Sequence, residues 1–220
     1  MKFDIVASLK EFFFDIIGFF IPGFILILII EEGFNIKTGF LSEVYIMIII
    51  SYALGYVTHS FTLLKDKWIN KLSEKISLSS VDSIIKELSE KDNFKLASKI
   101  IEEETQKDDK KLSNFNSFRN YAMSAIPDSD KKIYTFMFRA QLFNQLHTIV
   151  VISLFLGLSV NILSFWTNIV DNYIMDWIVL VIFFILAFTL RIGWKRFYTI
   201  AMNIPFSIYL SNSKRINNET

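Results

Sequence analysis

The chain reads as an all-α membrane protein: four transmembrane helices form two hairpins that flank a cytoplasmic helical insert. Three observations predict this. Hydrophobic residues make up 52% of the 220 positions and fall in runs, not scattered as in a soluble domain. Four of these runs approach the roughly 20 residues that cross a hydrocarbon core of about 30 Å. The charged residues collect in one central segment whose apolar positions recur at helical spacing.

The first run spans residues 12–30, within "EFFFDIIGFFIPGFILILIIEE", and carries both Asp15 and a Pro22-Gly23 pair. A cleaved leader fits it poorly. Asp4 and Glu11 are mixed with Lys2 and Lys10, the apolar stretch exceeds a normal leader core, and no small-x-small site precedes Glu31, so a retained span is expected. The other runs cover residues 44–64, 142–166 and 177–190, the last running on to Trp194. Three regions follow: 1–64 as the first transmembrane hairpin, 65–141 as the insert with its stalks, and 142–220 as the second hairpin and a tail.

Orientation follows from basic residues near the span ends. The linker "EEGFNIKTGFLSE" holds only Lys37 and "TNIVDNYIMD" holds no base, while every other Lys and Arg lies at the N-terminus, in the insert or from the end of the fourth span onward. Both termini and the insert are therefore expected in the cytoplasm. Trp166 and Trp177 then mark the outer interface, and Trp68 and Trp194 the inner one.

Within the insert, Val81, Ile84, Ile85 and Leu88 form one apolar stripe, Phe94, Ala97 and Ile101 a second, and Phe115, Phe118 and Ala122 a third, which predicts a small helical bundle. Ser79 and Ser80 are expected N-caps, and "IPDSD" reads as a stop and restart. The second span continues into "KDKWINKLSEKI", and the third is entered from "DKKIYTFMFRAQLFNQLHTIVV" without a breaker, so two helical stalks are expected. The acidic run "EEETQKDDKK" lacks metal-ligand spacing and reads as a solvated linker. No metal and no cofactor is expected. Lys110, Lys111, Arg119, Lys131, Lys132 and Arg139 offer a surface for a phosphate-bearing anion, unless they are ordinary positives of the inner interface.

The spans themselves carry the more specific signal. On the first, Glu11, Asp15, Gly18 and Pro22 fall on one narrow arc; on the second, Ser51, Gly55, Thr58, His59 and Thr62 repeat that spacing. Pro22 kinks its helix and leaves the Gly18 carbonyl without a helical donor. Counted from the outer interface at 1.5 Å per residue, Asp15, His59 and Arg191 share one level roughly 21 Å deep, and His147 lies at its inner edge. An intramembrane polar layer of Asp15, His59, Arg191 and His147 is expected, with an Asp15–His59 pair able either to line a gate or to lock the hairpin; the alternative is that Arg191 snorkels to the interface and Asp15 only marks the helix start. Ser153, Gly157 and Asn161 form a small-residue ridge for close packing, and Thr189 with Gly193 a weaker one.

Catalysis is not expected. Asp15 is the only carboxylate inside a span, His59 and Ser60 are adjacent and point apart on a helix, and HExxH, Walker and dinucleotide motifs are missing from the sequence. Cysteine is absent too, which removes thiol chemistry and disulfides. Net charge is only +1, so no global field attracts nucleic acid.

With its "DIIGFFIPGF" first span, charged helical insert and "FRAQLFNQLHT" entry into a second hairpin, the chain resembles the membrane effectors of the Hailong anti-phage systems. That resemblance implies a bacterial inner-membrane location and an oligomer, a tetramer by analogy, that conducts ions and depolarises the membrane on infection. It also implies control by a nucleotide or oligonucleotide signal from a partner synthase. The competing expectation is a non-conducting membrane scaffold or regulatory subunit whose polar layer is structural.

Overall fold

Seven helices account for the secondary structure of the residues described in this computed structural model, namely 14–36, 38–73, 80–106, 112–126, 132–164 and 176–219. They are α1 (Ile16–Gly33), α2 (Val44–Ser73), α3 (Val81–Ser89), α4 (Asp92–Gln106), α5 (Phe115–Ser124), α6 (Lys132–Ser164) and α7 (Trp177–Glu219). Four of them, α1, α2, α6 and α7, are long and apolar enough to cross a bilayer. The chain is an all-α, multi-pass membrane protein.

The chain divides into two compact units, Met1–Lys67 with Gln141–Trp194, and Trp68–Ala140 with Lys195–Thr220. The tail, however, belongs with the insert: α7 continues without a break to Glu219 and buries Ala201, Met202, Pro205, Phe206 and Tyr209 along its second half. Those five positions recur at helical spacing, the signal that marks them as core.

In the first unit, α1 is not a uniform α-helix. Residues Ile16–Phe20 form a π-helical turn in which the Ile21 N–H reaches the Ile16 carbonyl, and regular α geometry resumes with Pro22 near its start. A proline cannot donate, so the turn before it widens in place of a hydrogen bond that cannot form. A second π turn, Ile29–Gly33, closes the helix. The connection to α2 is held by Glu31, whose carboxylate accepts from the Phe40 N–H at 3.0 Å and from the Thr38 hydroxyl.

The α1–α2 hairpin closes on small residues. A Cβ on Gly23 would collide with the Ser51 carbonyl oxygen, and one on Gly55 with the Phe19 carbonyl oxygen, so the two backbones touch. Phe19 stacks on Tyr56 at 4.1 Å and Phe20 meets Tyr52 at 5.7 Å beside this seam. Toward the α1–α2 connection, Phe34 and Leu180 are buried against Ile29, Leu154, Leu158, Val160, Val179 and Phe183, which draws α1, α6 and α7 together. The ridge of Ser153, Gly157 and Asn161 is buried, as a packing ridge should be; Gly193 lies against the Phe143 ring, whereas Thr189 is exposed. Of the apolar windows, that of α6 is the most enclosed, 39% buried, and that of α7 the least, 11%. Val181, Phe184, Ile185 and Phe188 therefore form an outward apolar face suited to acyl chains.

In the second unit the three predicted stripes supply core residues: Ile84, Leu88, Ala97, Ile101, Phe115, Phe118 and Ala122 are buried, and Val81, Ile85 and Phe94 are half-buried. Phe94, Phe115, Phe118 and Phe206 pack ring on ring at 5.0 to 5.8 Å. Ser80 caps α3 through a reciprocal pair with Ser83, and Asn114 caps α5 by accepting the Ser117 N–H. Ser79 and the "PDSD" portion of the predicted turn lie outside the described residues.

Candidate functional site

The stripe that begins on α2 as Ser51 and Gly55 continues as Thr58, Thr62, Lys65 and Asp66, each three or four residues after the last or adjacent to it. On α6 the same rule puts Gln141, Asn144, Gln145 and Thr148 on one face, with His147 three residues beyond Asn144. Most of these are buried: Thr58, Thr62, Asn144, Gln145, His147 and Thr148. Arg191 and Trp194, three residues apart on α7, complete the group.

Lys65 is the hub. Its ammonium donates to the Asn144 side-chain oxygen at 2.7 Å, lies 3.0 Å from His147 Nδ1, and approaches the Asn144 backbone carbonyl at 3.4 Å. The Asn144 amide donates in turn to Asp66 at 2.7 Å. The other Asp66 oxygen stands between two cations, 3.8 Å from Lys65 and 3.9 Å from Arg191. These three side chains are 14–20% exposed, so solvent screens them only in part. The Arg191 guanidinium lies over the Trp194 ring at 3.9 Å, a cation–π contact that also buries an indole expected at the interface.

A neutral network adjoins the charged one. The Thr62 and Thr148 hydroxyls meet at 2.9 Å across α2 and α6. Thr148 also bonds the Asn144 carbonyl at 2.8 Å, and Thr62 the Thr58 carbonyl at 2.9 Å. His59 Nδ1 faces the side-chain amides of Gln145 at 3.2 Å and Gln141 at 3.5 Å, with the Phe19 ring edge-on.

Of the predicted polar layer, His147 and Arg191 meet around Lys65 and Asp66, and His59 joins the adjoining amides. Asp15 stands apart, exposed on α1 and outside the hydrogen bonds and ion pairs of the described residues. The π turn accounts for this. It inserts one residue into the helix, which rotates Asp15 by about 100° relative to a regular α-helix, away from the face on which Gly18 and Pro22 are buried. Ser51 and Gly55 lie in the closed α1–α2 seam, and Gly18 and Pro22 are buried on α1.

Sequence reasoning did not single out Lys65, Asp66, Asn144, Gln145 or Gln141. The first two stood at the edge of a span, where charges are ordinary. The signal that marks them is the continuation of the α2 stripe past Thr62, together with three amides at helical spacing in an apolar helix.

Of the predicted anion surface, Lys110, Lys111 and Lys131 lie outside the described residues. Lys132 and Arg139 are exposed, and Arg139 also lies over Phe136 and Phe197 at 5.7 and 5.8 Å. Arg119 is half-buried on α5, where burial pulls its guanidinium below the usual arginine range against the opposing influence of Tyr198 and Tyr134. Among the described residues, no group of three His, Asp or Glu side chains is placed to hold one metal ion. The chemistry of the cluster is charge pairing and hydrogen bonding between polar groups on three helices. No family model, curated protein or solved structure matches the chain.

Proposed function

We propose that the chain is one protomer of an oligomeric ion channel of the bacterial inner membrane, a non-enzymatic effector that depolarises the cell during anti-phage defence. The observation that carries this reading is the gathering of Lys65, Asp66 and Arg191 with Asn144 and His147 between α2, α6 and α7. Ionisable groups inside membrane segments are expensive, and where they collect they mark ion paths, proton relays or gates. The same three helices each contribute residues to both compact units, so an event in the insert has a continuous helical route to the cluster.

In this reading both termini and the insert face the cytoplasm, and the conducting path forms between copies, a tetramer by analogy with the resembling effectors. A nucleotide or oligonucleotide from a partner synthase, or the partner itself, supplies the signal. Inducible expression with a membrane-potential dye tests it: infection depolarises cells carrying the wild-type chain, and Asp66→Asn alters the response. No depolarisation under infection or under any added signal refutes it.

One observation favours a second reading, a non-conducting scaffold. The small residues Ser51 and Gly55 of the second-span stripe are consumed in backbone contact with Gly23 and Phe19 of the first span, and so serve packing within one chain.

A further inference from the structure

We propose that the contact between His147 and Lys65 is a proton-operated latch that holds α2 against α6 when His147 is neutral and releases it when His147 takes up a proton. As a gating device it rests on the channel reading above; as a structural switch it is independent of it.

The geometry is specific. Two basic nitrogens 3.0 Å apart form a hydrogen bond only when one carries the shared proton and the other offers a lone pair. With Lys65 as an ammonium, His147 must present an unprotonated Nδ1 and keep its proton on Nε2. Protonation then places N–H on both ring nitrogens and a second positive charge beside the ammonium. The attraction becomes a repulsion without any atom having moved.

The surroundings do not absorb that charge. Lys65 from α2 and Arg191 from α7 both set positive charge against His147, and Asp66 from α2 is the carboxylate among them. Asp66 is already engaged, one oxygen with the Asn144 amide and the other between the two cations. On α6 itself, the Asn144 side-chain oxygen is already engaged by Lys65. The mobile partner is Lys65, whose four-carbon stem and incomplete burial let its head swing away from His147. Its departure removes the links from Lys65 to Asn144 and His147, and leaves the Thr62–Thr148 and Asp66–Asn144 bonds and the His59 contacts with Gln141 and Gln145 to hold the pair.

His59 is the internal contrast. It faces α6 from α2 as Lys65 does, but its Nδ1 meets the neutral amides of Gln141 and Gln145 and not a cation. The chain has two histidines and no cysteine, which makes both groups addressable.

The test uses the full chain in lipid nanodiscs with ¹⁵N-labelled histidine and the His59→Gln substitution, so that His147 gives the one signal. Spin labels on Phe61→Cys and Leu156→Cys, exposed positions on α2 and α6, report their separation. At neutral pH His147 should show the Nε2-protonated tautomer and the labels a single distance. On acidification, protonation of Nδ1 and growth of a second, longer distance population should share one midpoint, and Lys65→Met should abolish the pH-dependent distance change. Proton on Nδ1 at neutral pH, a His147 that stays neutral until the protein unfolds, distances that ignore His147 protonation, or a pH response retained in Lys65→Met would each overturn the latch. A working latch in a chain that never conducts upholds it and refutes the channel reading.

Discussion

The two halves of the α2 stripe put one spacing to opposite uses. Around Ser51 and Gly55 it brings small residues against α1 until carbonyl oxygens of one helix meet the glycines of the other. Two turns further on, from Thr62 to Asp66, it presents hydroxyl, ammonium and carboxylate to α6 and α7. The first is specified by the absence of side chains and tolerates no added volume. The second is specified by complementary chemistry and tolerates no lost partner. A helix in lipid gains nothing from hydrophobic contact with its neighbour, so shape and polarity are the two means of choosing one.

The sharpest way to break this contrast is volume in the seam. Gly55→Val drives a branched side chain into the Phe19 carbonyl, and a loss of about 3 kcal/mol or more is expected, read as collapse of detergent-solubilised protein to aggregate or as failure to accumulate. Asp66→Ala comes next, because it leaves Lys65 and Arg191 facing each other without their carboxylate. About 2 kcal/mol is expected after allowing for partial exposure, measured by thermal unfolding in nanodiscs, and Asp66→Ala with Arg191→Gln should recover part of it. Thr62→Val removes the hydroxyl bridge to Thr148 and should cost about 1 kcal/mol.

The smallest effect is the most discriminating. Ser51 is buried in the seam and its hydroxyl has no hydrogen-bond partner among the described residues, so Ser51→Ala should be neutral or stabilising by up to about 1 kcal/mol. A polar residue in the seam is dispensable where one in the cluster is not. If Ser51→Ala instead costs as much as Thr62→Val, the two regions do not differ in kind.

The fold was largely legible because its determinants are one-dimensional: run length gave the four spans, and periodicity gave the insert's core at Ile84, Leu88, Ala97, Ile101 and Phe118. The candidate site was legible only in part. Counting residues from an interface assigns depth, and depth placed His59, His147 and Arg191 near one level. It does not assign direction around a helix axis, and a π turn before Pro22 takes Asp15 off the expected face. Nor does it show which charges at a span's edge are drawn inward, as Lys65 is by Asn144 and His147. The core positions of the α7 tail were missed for another reason: Ala201, Met202 and Phe206 lie among basic and polar residues after the fourth span, where a tail reads as solvated unless its own period is followed.

The proposal that the charged cluster controls an ion path is tested most directly by potential-driven ion flux into liposomes holding the purified chain. Wild type should remain closed until signalled, and Asp66→Asn, which keeps the side-chain shape but weakens the hold on Lys65 and Arg191, should leak without a signal. Equal impermeability of both, with the variant folded and inserted, would contradict the account.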